Sequence, residues 1–84
     1  MPTSDEFRIA LRARLRQAEL SNASHLDINA GDLHRQLGGY PGSNHQMPVC
    51  CDVMEQERRA LDEVIASPPS GKGASLTVRY RLPR

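Results

Sequence analysis

The chain has 84 residues, with 11 lysines and arginines against 10 aspartates and glutamates and a formal net charge of +1. That length holds one domain with a modest core, and the near-neutral balance excludes a histone-like binder that works through bulk charge. The only two cysteines, Cys50 and Cys51, are neighbours and cannot staple a loop, which excludes a secreted disulfide framework and points to a reducing cytoplasm.

Residues 1–8 carry acids and no apolar stretch, and no run of about 18 apolar residues occurs, so the expectation is a soluble chain without signal peptide or membrane span. Charge is unevenly spread. Arg8, Arg12, Arg14 and Arg16 load the first segment, and Lys72, Arg79, Arg81 and Arg84 load the last with no acid among them. In between, Asp52, Glu55, Glu57, Asp62 and Glu63 outweigh Arg58 and Arg59. A basic surface therefore has to be assembled from the two ends.

In chain order, Thr3 with Glu6 three residues later reads as a capping box. Phe7, Leu11, Leu15 and Ala18 then recur at helical spacing, with Ile9, Ala10 and Leu20 widening the apolar face, so the pattern predicts a helix over 4–21. Ser21, Asn22, Ala23 and Ser24 break it. His25-Leu26-Asp27-Ile28 alternates polar with apolar, as a very short strand does. Asn29 caps a second helix over 30–37, whose inward pair is Leu33 and Leu37 and whose stop is Gly38-Gly39. After the loop Tyr40-Pro41-Gly42-Ser43-Asn44, the residues Met47, Cys50, Cys51 and Met54 fall at i, i+3, i+4 and i+7, with Pro48 in the first turn, predicting a third helix over 47–59. Glu63-Val64-Ile65-Ala66, a breaker running from Pro68 to Gly73, and the alternation of Leu76, Val78, Tyr80 and Leu82 complete the chain as a hairpin over 63–82.

This order of elements resembles the winged-helix family of DNA-binding domains over nearly the whole chain, with 1–84 as one domain. The local marks are Asn29-Ala30-Gly31-Asp32-Leu33-His34-Arg35-Gln36-Leu37-Gly38, similar to the first helix of a helix-turn-helix, and Gly71-Lys72-Gly73 leading into Val78-Arg79-Tyr80-Arg81-Leu82, similar to a wing. The resemblance implies an α+β fold, a three-helix winged helix-turn-helix with a C-terminal β-hairpin wing. It also implies that the start of the third helix meets base edges while the wing and helix ends hold phosphates. Carried onto this chain, the base-contact candidates are Ser43, Asn44, His45, Gln46 and Val49, with Asp52 beside them, and the backbone-contact candidates are Arg35, Lys72, Arg79 and Arg81. The chain departs from the family pattern in its third helix, where Asp52, Glu55 and Glu57 stand with no basic residue before Arg58.

Other chemistries fit less well. Adjacent cysteines lack the spacer of structural zinc sites, even with His34 and His45 in the chain, and nothing selects one thiol for Cys-His nucleophilic catalysis. Asp32 and His34, two apart on a helix, do not face each other. Gly71-Lys72-Gly73 lacks the glycine spacing, the following Ser or Thr and the helix of a phosphate loop. The expectation is a non-enzyme with no catalytic residues, cofactor or metal.

Two functions follow. The first is sequence-specific or structure-tolerant duplex DNA binding, as a transcription regulator or an accessory subunit of a DNA-processing or mobile-element system. It would act as a homodimer through the outer stripe of helix one or through helix three. The second is an adaptor or inhibitor of winged shape that binds a protein through 47–59, using Met47, Val49, Val53 and Met54. A contiguous basic face joining Arg35, Lys72, Arg79 and Arg81 speaks for DNA. Exposed Val49 and Val53 speak for a protein partner.

Overall fold

In a computed structural model that describes residues 3–38, 46–68 and 73–83, the capping box forms as the sequence predicts. Thr3 Oγ1 accepts the Glu6 N–H at 3.2 Å and the Glu6 carboxylate accepts the Thr3 N–H at 3.1 Å, opening helix α1 (Ser4–Leu20). Its last turn closes with Ala23 N–H on Ala18 C=O and Asn22 N–H on Glu19 C=O, and Asn22 takes the left-handed conformation at φ 62°. That is a Schellman ending, with Asn in the position where glycine is commonest.

Phe7, Ala10, Leu11 and Leu15 are buried. Ile9 and Leu20 do not extend that face, because they stand 69% and 66% exposed. The reason is angular: Ile9 lies two residues from both Phe7 and Leu11, about 200° around the helix from each.

Strand β1 (His25–Asn29) runs directly into helix α2 (Ala30–Leu37). Asn29 keeps an extended backbone while its side chain accepts the Asp32 N–H at 3.1 Å, so it is both the last strand residue and the N-cap. Two more amides at the helix start reach the segment ahead of the last strand: Ala30 N–H donates to Leu76 C=O at 2.8 Å and Gly31 N–H to Ala74 C=O at 3.0 Å. A Cβ at Gly31 would sit 3.2 Å from that Ala74 oxygen, so glycine permits the approach. Gly38, at φ 88°, ends α2.

Helix α3 (Met47–Gln56) stops three residues short of the predicted 59. Arg58 N–H turns to Glu55 C=O at 3.2 Å and Arg59 N–H is taken by the Asp62 carboxylate at 2.7 Å, so acceptors other than the i−4 carbonyls capture these amides.

Strands β2 (Glu63–Ala66) and β3 (Thr77–Arg81) form the predicted antiparallel pair, with a register shift between Val64 and Ala66, and β1 joins on the other side of β3 to give the order β1-β3-β2. Leu76, Val78, Tyr80 and Leu82 are buried as their alternation predicts, and Tyr80 Oη donates to Met54 C=O at 2.8 Å, tying β3 to α3. The described residues thus make a small α+β domain of three helices and a three-stranded antiparallel sheet around one core. No described helix is long and apolar enough to cross a membrane.

Candidate nucleic-acid interface

The start of α3 is held by a histidine. His34 projects from α2 into the core, fully buried and edge-on to Phe7 with ring centroids 5.0 Å apart. Its Nε2 accepts the Gln46 N–H at 2.8 Å, which leaves Nδ1 carrying the proton and donating to Gly38 C=O at 3.1 Å. The ring thereby bonds both residues that flank 39–45, and fixes where α3 begins relative to α2. The sequence reading weighs His34 as a metal ligand and beside Asp32 but misses its core role, although Ala30, Leu33, His34 and Leu37 lie at i, i+3, i+4 and i+7 and share one helix face.

Of the base-contact candidates, Ser43, Asn44 and His45 lie outside the described residues. Gln46 is the N-cap residue of α3 and makes no side-chain capping bond. Val49 is half-buried and packs against the core, and Asp52 is half-buried one turn further on.

The backbone-contact candidates do not stand as bare cations. Arg35 pairs with Asp32 at 3.1 Å, Arg81 with Glu63 at 3.0 Å, and Arg79 forks onto Asp27 at 2.9 and 3.2 Å. Lys72 lies outside the described residues. Arg79 and Arg81 alternate with the buried Val78 and Tyr80, so they share the outer face of the sheet. Asp27 sits opposite Arg79 on one side and Glu63 on the other, so acids interleave with the arginines there. The Arg79 hydrogen bond, ahead of the opposing cost of burial and with help from the charges of Arg79, His25 and Arg81, holds the Asp27 carboxyl below its ordinary value. Among the described residues, these acids interrupt the arginines of the basic face that would speak for DNA.

The alternative surface on α3 is reduced to one of its four residues. Met47, Val53 and Met54, expected as contacts for a protein partner, are buried, and only Val49 keeps partial exposure. The helix is enclosed on more sides than the four-residue stripe predicts, by α1, α2 and Tyr80 of β3. Arg12 of α1 reaches Glu57 at 2.6 Å and Arg8 reaches Gln56 at 2.7 Å, tying α1 to the end of α3. Of the acids expected to repel phosphate, Glu57 is neutralised by Arg12, and Glu55 pairs with Arg58 at 3.1 Å.

The thiols face inward. Cys50 Sγ donates to Ala30 C=O at 3.6 Å and Cys51 Sγ to Gly73 C=O at 3.5 Å. Burial, with a smaller contribution from Cys51, pushes the Cys50 thiol up to about 12, so it stays neutral near pH 7. Among the described residues no three of His, Cys, Asp and Glu gather where they could hold a metal ion.

No family model, curated protein or solved structure matches the chain.

Proposed function

We propose that the domain is a winged helix that binds duplex DNA, presenting the start of α3 to the major groove and the β2–β3 hairpin to the backbone. One observation carries this reading: the element order α1-β1-α2-α3-β2-β3 combined with the strand order β1-β3-β2. In that layout the clamp between His34 and Gln46 sets α3 against α2, as a reading helix requires. The ion pairs of Arg35, Arg79 and Arg81 do not forbid phosphate contact. Each involves partly exposed side chains, and such pairs are worth about 0.2–1 kcal/mol, so a phosphate that releases the carboxylate displaces little.

A homodimer would use the outer stripe of α1. Ile9, Ala13 and Leu20 are exposed and fall within about 40° of one another around the helix. Met47, Val53 and Met54 of α3 are committed to the core, which favours α1 over helix three as the dimer contact. A second reading, an adaptor for a protein partner, is favoured by the interleaving of Asp27 and Glu63 with Arg79 and Arg81, which leaves the outer sheet face electrically mixed.

The test is fluorescence anisotropy with mixed duplex fragments over a salt series, for the wild type and for Lys72→Ala with Arg79→Ala. Salt-sensitive binding, with weaker affinity and a shallower salt slope in the variant, supports the DNA reading. Absence of binding at low salt overturns it in favour of the adaptor.

A further inference from the structure

At the far end of α3 from Gln46, an open cleft of about 500 Å³ lies between α1 and the residues that follow α3. Its charged lining is Arg12, Arg16, Arg58 and Arg59 against Glu19 and Glu57, four cations to two anions and therefore a net +2. Leu15 also lines it and is buried. The cations differ in one respect. Arg12 is forked onto Glu57 and Arg58 onto Glu55. The side chains of Arg16 and Arg59 have neither ion pair nor hydrogen bond to any described residue.

We propose that this cleft is a binding site for a small, multiply charged phosphate-type anion, held by Arg16 and Arg59, a site beyond and independent of the DNA reading. Three observations converge on it. The volume falls within the range of small-molecule sites, about 300–1,000 Å³. Two guanidinium groups without partners each offer a planar fork that matches phosphate oxygens and is weakly hydrated. The acid that would most oppose an anion, Glu57, already accepts both Arg12 nitrogens at 2.6 and 3.3 Å. The site is also set apart from the groove-facing end of the domain, because α3 has 10 residues and so spans about 15 Å.

The experiment is calorimetric titration of the full chain with inorganic pyrophosphate at low ionic strength. Four proteins are compared: the wild type, Arg16→Ala, Arg59→Ala and Arg14→Ala. Arg14 belongs to the same helix but lies outside the cleft, so its variant removes equal charge without removing a ligand. Saturable binding that weakens tenfold or more in Arg16→Ala and Arg59→Ala, and less than twofold in Arg14→Ala, supports the site. An absence of saturable heat in the wild type, or equal losses in all three variants, overturns it. Repeating the titration with a short duplex present separates the two sources of phosphate. Unchanged pyrophosphate binding supports a free ligand. Displacement by the duplex overturns the small-ligand assignment and gives the cleft to nucleic-acid backbone.

Discussion

The buried imidazole of His34 accepts the main-chain N–H of Gln46 at 2.8 Å, a bond between residues twelve apart that joins α2 to the N-cap of α3. Because the same ring also donates to Gly38, it satisfies two main-chain groups that α2 and α3 leave open at their facing ends. His34→Leu keeps apolar bulk but strands both groups, at a cost of about 1–3 kcal/mol for each that stays dry. Urea denaturation of the variant is expected to show a total loss of about 2–4 kcal/mol. A loss below about 0.5 kcal/mol would mean that water replaces the ring without penalty and that the clamp is not what sets α3.

Asp62 performs a similar service at the other end of α3. Its carboxylate is buried and accepts the Arg59 N–H at 2.7 Å and the Arg81 N–H at 2.8 Å, extending the sheet edge past the last pair of β2 with β3. Asp62→Ala is expected to cost about 2–4 kcal/mol, since charge-assisted bonds to main-chain amides exceed neutral ones. Amide hydrogen exchange at Arg81 should accelerate more than at Val78, which lies within the ladder. Equal acceleration at both positions would show a global effect and remove Asp62 from this role.

Acid stability should carry the signature of Asp27. Its folded pKa lies below the ordinary 3.8, so its contribution is present above that value and is lost as pH falls through the depressed folded value. Thermal melts from pH 6 downward should therefore fall more steeply below about pH 4 for the wild type than for Asp27→Asn. Superimposable profiles would show that the Arg79 fork contributes nothing measurable.

The cysteines make a prediction at the opposite end of the pH range. A folded Cys50 value of about 12 against the ordinary 9.0 means that stability is intact below pH 9 and is lost progressively as pH rises from 9 toward 12. Cys50→Ala should flatten that decline, though it opens a small cavity. In the native protein at pH 8 a thiol reagent should label neither Cys50 nor Cys51, and in denaturant it should label both. Rapid labelling of the native state would place the thiols outside the core.

The α1 stripe is tested by Ile9→Glu with Leu20→Glu. Light scattering should give a dimer mass for the wild type at high micromolar concentration and a monomer mass for the variant, with unchanged circular dichroism because both residues face solvent. A monomeric wild type would remove the homodimer from the proposal.

Local chemistry in the sequence determined most of the elements. A capping box, a glycine stop, a proline in a first turn and a period-two alternation act over three to eight residues, and they placed α1, α2, β3 and the hairpin within a residue or two. The pattern also placed Met47, Cys50, Cys51 and Met54 inside. Tertiary structure decided what each side chain meets from a distant segment. Val53 is buried because α1 and α2 both pack on α3, and α3 ends at Gln56 because Asp62, six residues on, captures Arg59 N–H. Arg79 and Arg81, two of the candidates for a basic face, are paired because β1 sets Asp27, and β2 sets Glu63, beside β3. Arg16 and Arg59 share a cleft although they stand 43 positions apart in the chain. Charge and burial are properties of neighbours, and a sequence names the neighbours only along the chain. The packing of α1 against α3 and of both outer strands on β3 supplied the rest.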